Sequence, residues 1–252
     1  MRLALSSLAV LAVLIAAWWA LAAGLGLPAY ILPAPDAVAA AWWERRDFIL
    51  HNAGVTALEM LLGFCAGAVL GVLCALTMAA AAPARLVLRP VLIASQAIPV
   101  FALAPLFVVW MGYGMAPKIA IAAIVIFFPV AAAFADGLRR TPPALAEAAR
   151  LMAGSGFGAR LRTLRFVVLP AALPALGTGL RVGAGVAAIA AVIGEWAGAS
   201  EGLGYLMLWA NARTQIPLMF AALVTLFVLA IAFAALVDFL TRRMTPWISE
   251  TD

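Results

Sequence analysis

Apolar runs about as long as a bilayer is thick recur along the whole chain, and they constrain its fold more than any other feature. A helix needs about 20 mainly apolar residues to cross the hydrocarbon core of a membrane. Membrane-spanning strands would be shorter and would alternate strictly between apolar and polar residues, which these runs do not. We therefore expect an all-α integral membrane protein with six transmembrane helices, at 3–23, 55–82, 86–110, 119–138, 171–197 and 218–240.

Composition and charge exclude the main alternatives to a membrane protein. The chain is 67% hydrophobic and 11% charged, whereas soluble domains are about half apolar and a quarter charged, and disordered chains lack this much apolar surface. The net charge of +5 comes from basic residues scattered between the apolar runs. This pattern is typical of cytoplasmic loops and lipid headgroups rather than of nucleic-acid binding.

The distribution of basic residues predicts the orientation in the membrane. With the N-terminus in the cytoplasm, eleven or twelve basic residues fall on the inside and four on the outside, depending on where Arg181 is counted. Cytoplasmic loops carry the excess of Lys and Arg, so both termini are expected in the cytoplasm. The four outer residues are then Arg45, Arg46, Lys118 and Arg213.

Three regions are expected along the chain. Residues 1–53 would form the first transmembrane helix and a periplasmic amphipathic segment. Residues 54–245 would form a five-helix core with a cytoplasmic loop at about 139–170, and residues 246–252 a cytoplasmic tail. The first run can also be interpreted as a signal peptide, but its length and the Trp18-Trp19 pair favour an uncleaved helix. In the outer segment Asp36 is a plausible N-cap of a helix ending near Asp47, which rests on the membrane or packs against the protein's own spans.

Glycines and prolines indicate where the spans pack closely or bend. Gly63, Gly67 and Gly71 in the second span, and Gly179 and Gly183 in the fifth, recur every four residues. This spacing places each set on one helix face and lets another backbone approach. Prolines at membrane depth either kink a helix or free carbonyl groups that line a path; they are Pro99, Pro105 and Pro129.

Few polar residues lie inside the spans, and an intramembrane charge is a functional candidate by default. Asp136 and Asp238 are expected to form interfacial ion pairs with the arginines that follow them. Glu59 lies near the outer end of its span. Candidates for the translocation pathway are Gln96, Pro99, Glu195, Trp196 and Asn211.

Catalytic and metal chemistry are not expected. The single histidine, His51, is interpreted as a solvated loop residue, and the two cysteines pack within one apolar stretch. No carboxylate pair or metal cluster stands at close spacing, and the Walker A sequence that would bind ATP is missing. An ion-coupled secondary transporter remains a rival; it would need buried titratable groups near the midplane and internal repeats.

The segment Arg139–Pro170, RRTPPALAEAARLMAGSGFGARLRTLRFVVLP, is long, basic and cytoplasmic. Its proline pair, Pro142-Pro143, favours a helix start. ALAEAARLM contains strong helix formers, and Gly154, Gly156 and Gly158 are expected to end the helix. The segment therefore predicts a short cytoplasmic helix between two spans. Its small residues Ala148 and Ala149 would let a partner protein dock closely against it.

Glu147-Ala148-Ala149, the following Gly154 and Leu169-Pro170 resemble the EAA loop of permease subunits in binding-protein-dependent ABC importers. LPAPDAVAAAW, AIPVFALAPLFVVWMGYG and GEWAGASEGLGYLM are similar to the nitrate, sulfonate, taurine and thiamine-pyrimidine branch. The resemblance implies a type I importer fold in which the loop forms a coupling helix. It assigns ATPase coupling to Glu147, Ala148, Ala149, Arg150, Gly154, Leu169 and Pro170. The loop is four residues longer than the usual pattern, which leaves the docking geometry open.

The resemblance also implies the partners and the task. Two copies of the chain would form a pathway in the bacterial inner membrane, surrounded by lipid and without nucleic acid. A periplasmic solute-binding protein would deliver the substrate, and two ABC ATPase subunits, rather than this chain, would bind ATP and Mg²⁺. VVWMGYGMAPK and GEWAGASEGLGYLMLWANARTQIPLMFAAL resemble the hydroxymethylpyrimidine-precursor permeases, which implies a small polar solute of the hydroxymethylpyrimidine or thiamine-precursor class as the substrate. Trp196, Trp209 and Asn211 would suit a ring with hydrogen-bonding edges. Sulfonate, taurine or nitrate is the alternative.

Overall fold

The computed structural model describes residues 12–13, 15–22, 24, 28–154 and 156–247. Regular secondary structure in these ranges is helical throughout. The labelled helices are α1 Pro35–Glu44, α2 Arg46–Ala80, α3 Ala82–Ser95, α4 Val100–Met111, α5 Met115–Arg139, α6 Pro143–Ala153, α7 Phe157–Thr163, α8 Leu169–Trp196, α9 Leu203–Ala212 and α10 Ile216–Met244. A π-helical turn, Leu164–Val168, joins α7 to α8.

The chain divides into two compact units. The first contains Met1–Ala57 and Ala199–Leu229, and the second contains Leu58–Gly198 and Ala230–Asp252. Both boundaries near residues 57 and 229 fall inside long helices, α2 and α10. The domain boundaries near residues 53 and 245 stay predictions.

Within the described residues, four unbroken segments are long and apolar enough to cross a membrane: Arg46–Ala80, Met115–Arg139, Leu161–Trp196 and Ile216–Met244. They correspond to the predicted second, fourth, fifth and sixth spans, although several begin earlier than predicted because polar residues at the helix ends are also helical. About half of the predicted first span, 3–23, lies outside the described residues. The part of this span that is described, 12–13 and 15–22, is helical.

The third predicted span, 86–110, is not one straight helix. It consists of α3 and α4, which meet at a bend of 103°. Pro99 stands immediately before α4 and lacks a backbone N–H, and proline also disfavours helical geometry at the preceding residue. The hydropathy of the segment predicted the length of the span correctly. The interruption of the helix between Ser95 and Val100 follows from Pro99.

The first unit is built around apolar residues of α1, α9, α10 and the start of α2, including Val38, Ile49, Leu206 and Ala221. Helix α1 begins after Ala34, with Pro35 in its first turn, so Asp36 is a first-turn acid rather than the predicted N-cap. The helix does not rest apart from the spans, because the Trp42 indole N–H donates to Thr225 Oγ1 of α10 at 3.1 Å. Within this unit the outer helix therefore packs against the protein itself.

The start of α9 is fixed by side chains of α2. Asn52 Oδ1 accepts the N–H of Gly202 at 2.7 Å, and Thr56 Oγ1 accepts the N–H of Leu203 at 2.8 Å. Both side chains are buried. The first N–H groups of a helix have no partner within the helix, so α2 supplies the acceptors that the local sequence of α9 lacks.

In the second unit, α5 packs between α2 and α8 at positions where those helices carry glycine. A Cβ atom at Gly67 would lie 2.8 Å from the Ala123 carbonyl oxygen, and one at Gly179 would lie 2.8 Å from the Pro129 carbonyl oxygen. Gly63 faces Ala122 in the same way. The predicted close packing at the glycine faces is confirmed, and both faces meet the same helix.

Candidate functional site

The cytoplasmic loop folds into two short helices and a π-helical turn. Helix α6 begins at Pro143, as predicted, because proline suits the first turn, where its missing N–H has no role. It ends before Gly154, whose φ of +83° lies in the left-handed region that glycine adopts readily. Gly156 has a φ of +106°, but Gly158 lies inside α7 and does not stop a helix.

A π-helical turn carries this loop into α8. The N–H of Leu169 bonds to the carbonyl of Leu164, five residues earlier, where an α-helix would bond to a carbonyl four residues earlier. Pro170, at the start of α8, has no N–H to continue the α-helical pattern. Leu161–Trp196 is consequently one continuous span, and the predicted coupling residues Leu169 and Pro170 lie within it.

Helix α6 presents an uncovered surface. Glu147 and Ala148 are exposed and Ala149 is half-buried, while the side chain of Arg150 lies outside the described part of the structure. Leu145, Leu151 and Met152 are also exposed, Met152 to 90%. Leu145, Ala148 and Met152 follow the i, i+3, i+7 spacing that places them on one helix face, so an apolar stripe with a carboxylate on the opposite side faces outward.

A buried ion cluster joins the three packed helices of the second unit. Lys118 Nζ of α5 lies 2.6 Å from Glu59 Oε1 of α2, and the carboxyl group of Glu195 of α8 faces that of Glu59. All three residues are at least nine-tenths buried. Gly194 makes room for this arrangement, since a Cβ there would lie 3.1 Å from Lys118 Cα.

Sequence reasoning missed this cluster. Lys118 was expected in an outer loop, but it lies inside α5 and is buried. Two signals pointed to it: Lys118 is the single lysine of the chain and adjoins an apolar run, and the predicted orientation puts it at the same membrane side as Glu59 and Glu195. A charged side chain inside a span is tolerated when a residue of opposite charge lies close to it. For Lys118 the candidate partners were therefore Glu59 and Glu195.

Two further ion pairs lie near the ends of α5 and α10. Asp238 Oδ2 and Arg242 Nε are 2.8 Å apart, and Asp136 Oδ1 and Arg139 Nη1 are 3.7 Å apart, which confirms both predicted pairs. Asp238 Oδ1 also lies 3.5 Å from Arg181 Nε of α8, and this guanidinium donates to Thr241 Oγ1 at 3.2 Å. Helices α8 and α10 are thus linked by a polar contact within the second unit.

The predicted pathway residues occupy several places. Gln96 and Pro99 are exposed at the bend between α3 and α4. Glu195 belongs to the buried ion cluster, and Trp196 ends α8 with 43% of its surface exposed. Asn211 is exposed at the end of α9 in the first unit. A role in the pathway stays a prediction for each of them.

One further prediction was wrong. His51 is not a loop residue, because it lies within α2; its Nε2 atom is 3.7 Å from Glu201 Oε2 in the first unit. Both side chains are more than half exposed, so this contact is a surface pairing.

Residues 67–248 match the family described as binding-protein-dependent transport system inner membrane component. A probable ABC transporter permease protein of Haemophilus influenzae is 47% identical over 89% of this chain and 91% of its own length. A formylaminopyrimidine transport permease of Halalkalibacterium halodurans is 34% identical over 91% of this chain and 90% of its own length. Permeases named for riboflavin, taurine and aliphatic sulfonates are 29–34% identical over 88–97% of this chain.

The fold has a solved counterpart. A chain in the crystal structure of an amino acid ABC transporter superposes with a TM-score of 0.60, covering 79% of this chain and 95% of the other, at 20% sequence identity. The predicted type I importer fold is therefore confirmed. The family consists of transport subunits and not of enzymes. These subunits work with a separate ATPase and a binding protein. The chain accordingly belongs to the inner-membrane permease components of binding-protein-dependent ABC importers.

Proposed function

We propose that two copies of this chain form the pathway of an ATP-driven importer and that α6 is the helix through which each copy is coupled to an ATPase subunit. The exposed stripe of Leu145, Ala148 and Met152, together with the exposed Glu147 on the other side of the helix, carries this assignment. An apolar helix face in water is a typical protein-binding surface. ATP and Mg²⁺ bind to the ATPase subunits, and their closure moves α6.

The orientation that fits this role places α6 and both termini in the cytoplasm. Helix α6 follows Arg139 and Arg140 at the end of α5, and Arg242 and Arg243 lie near the end of α10. Arginines concentrate on the cytoplasmic side of a membrane protein. The ATPase subunits then meet α6 on the side where ATP is available, and the binding protein meets the opposite side.

The proposed substrate is a small nitrogen heteroaromatic compound of the hydroxymethylpyrimidine or thiamine-precursor class. The 34% identity to a formylaminopyrimidine permease, over nine-tenths of both chains, supports it. Taurine and sulfonate permeases are somewhat less similar, which makes a sulfonate the second candidate. The ion-coupled secondary transporter receives no support from these relatives.

Coupling through α6 is tested by reversing the charge of Glu147 in the reconstituted complex. Glu147→Arg replaces an exposed carboxylate of the proposed coupling helix with a cation and is expected to abolish substrate-stimulated ATP hydrolysis and the retention of the ATPase subunit. Membrane insertion stays intact, because the side chain is exposed. Met152→Asp tests the apolar stripe in the same way.

The matched controls are Glu44→Arg, an exposed carboxylate of α1, and Trp247→Asp, an exposed apolar side chain outside α6. Both are expected to retain the ATPase subunit. Normal substrate-stimulated hydrolysis in Glu147→Arg would remove the coupling role from this helix. Uptake by vesicles that contain the permease alone, driven by an ion gradient, would support the secondary-transporter rival instead.

Substrate class is tested with the solute-binding protein that works with this permease. Hydroxymethylpyrimidine, formylaminopyrimidine, taurine, an alkyl sulfonate and nitrate are each added in a thermal-shift assay, followed by uptake into proteoliposomes containing the whole transporter. Stabilisation and ATP-dependent uptake of a pyrimidine are expected. Uptake of taurine or a sulfonate without a pyrimidine response would refute the pyrimidine assignment and leave the permease role unchanged.

A further inference from the structure

A cavity of about 950 Å³ opens in the second unit at the arginine-bearing end of the spans. It lies among the last turns of α2, most of the length of α3, the second half of α5 and the segment from α7 through the π-helical turn. The proposed orientation puts it at the level of the cytoplasmic lipid headgroups. Neither the coupling helix nor the predicted pathway residues line it.

The mouth of the cavity carries an excess of positive charge. Arg85, Arg89 and Arg139 line it, against one carboxylate, that of Asp136. Arg139 is 3.7 Å from Asp136, and Arg85 donates through Nε to the Met78 carbonyl oxygen, which leaves its terminal nitrogens available. Arg89 has no hydrogen bond or ion pair within the described part of the chain, so two net positive charges face the cavity.

A neutral polar group adds to these cations. Thr141 Oγ1 lines the cavity and is buried without a hydrogen-bond partner among the described residues. An unsatisfied buried hydroxyl costs about 1–3 kcal/mol, and a bound acceptor oxygen would satisfy it. Guanidinium groups bind phosphate oxygens with two parallel hydrogen bonds, so these side chains together suit a phosphate group.

The deeper wall is apolar. Leu92 is buried, Phe128 is half-buried, and Ala75 is fully buried on the adjoining turn of α2. A small inorganic anion would leave this wall uncovered, whereas a molecule with a charged head and a hydrocarbon tail would cover both parts. Basic pockets between spans on the cytoplasmic side are typical sites for anionic lipid headgroups.

We propose that this cavity binds an anionic phospholipid of the cytoplasmic leaflet, with its phosphodiester at Arg85, Arg89 and Thr141 and part of an acyl chain against Leu92 and Phe128. The assignment rests on the proposed orientation but not on the coupling role of α6. Leu164 and Val168 of the π-helical turn also line the cavity. The bound lipid therefore contacts the segment that leads from the cytoplasmic loop into α8.

The test measures phosphatidylglycerol retained by the purified transporter in detergent, by native mass spectrometry, after titration with dioleoylphosphatidylglycerol. One tightly retained lipid per chain is expected. Arg85→Gln combined with Arg89→Gln is expected to weaken retention by more than 25-fold, because each arginine near an anionic leaflet contributes about fivefold and direct phosphate contacts add to this. Ala79→Trp fills the cavity from an exposed position without altering charge and is expected to abolish retention.

Arg140→Gln combined with Arg243→Gln is the matched control, since both arginines are exposed at the same end of the spans and do not line the cavity. It removes the same charge and is expected to retain the lipid. Equal losses in the two double variants would reduce the effect to general surface attraction and overturn the site. Arg89→Gln alone, at an exposed side chain, keeps the test informative if a double variant fails to fold.

Two further arms identify the ligand. Dioleoylphosphatidylcholine, which has the same chains but no net charge, is expected to be retained at least tenfold more weakly. Inorganic phosphate at 10-fold molar excess over lipid is expected not to displace phosphatidylglycerol. Displacement by phosphate alone, or equal retention of phosphatidylcholine, would overturn the anionic-lipid assignment whatever the result with Glu147→Arg.

Discussion

At the residue scale, the buried charges show how one side chain depends on another. Glu59 is fully buried in α2, and Lys118 Nζ at 2.6 Å supplies the opposite charge, while Glu195 adds a second carboxyl group. Desolvation makes an isolated ion in such a place very costly. The cluster therefore holds α2, α5 and α8 in one register, because a shift of any of these helices would separate the charges.

Lys118→Met tests this dependence. It leaves the Glu59 carboxyl group buried without the Lys118 ammonium group, so the folded state should lose about 3–5 kcal/mol. Unfolding in mixed detergent micelles, followed by circular dichroism, measures the change. Combining Lys118→Met with Glu59→Met removes the orphaned charge and should recover most of the loss. Wild-type stability in the single variant would show that the pair contributes nothing to folding.

At the element scale, glycine spacing determines which helix faces meet. The four-residue repeat in α2 and α8 predicted close approach, and α5 is the helix that fills both grooves. The spacing identifies a face but not its neighbour, since any small-residue face accommodates several partners. The chain path decides the neighbour, as Ala122, Ala123 and Pro129 of α5 lie opposite the glycines.

Gly179→Ala is expected to destabilise the protein by about 1–3 kcal/mol, because the new Cβ would meet the Pro129 carbonyl and the Val130 Cα within 3.0 Å. Gly185→Ala in the same helix is the matched control. In the described part of the chain, nothing lies within 4 Å of a Cβ at this position, so the higher helix propensity of alanine should leave stability unchanged or raise it by up to about 1 kcal/mol. Thermal unfolding in detergent compares the two; equal effects would contradict the packing at Gly179.

Helix ends and interruptions were harder to predict than helix faces. Pro143 and Gly154 bound α6 as expected, because their preferences act locally. The start of α9 depends on Asn52 and Thr56, about 150 residues away in the sequence. The π-helical turn before Pro170 was also unpredicted, since apolar composition is the same for α- and π-helical turns.

At the scale of the whole molecule, the proposed membrane orientation puts α6, the proposed coupling helix, and the outer loops on opposite sides of the membrane. In a background with Cys65→Ala and Cys74→Ala, Met152→Cys in α6 should react with a membrane-impermeant maleimide in inside-out vesicles only. Tyr30→Cys should react in right-side-out spheroplasts only, and both original side chains are well exposed. The reverse pattern would invert the topology and place α6 where no ATPase subunit can reach it.

The sequence by itself determined the membrane class, the short helix Pro143–Ala153 and the family resemblance, because apolar length, the proline and glycine at the helix ends and the Glu147 motif are encoded within short segments. Which distant residues meet was decided only by tertiary structure. From the residues next to it in the sequence, Lys118 was predicted to lie in an outer loop. In the structure it is buried and forms an ion pair with Glu59. Arg85, Arg89 and Thr141 likewise form one cavity only after α2, α3 and α5 pack together, since their separation in the sequence carries no information about their separation in the fold.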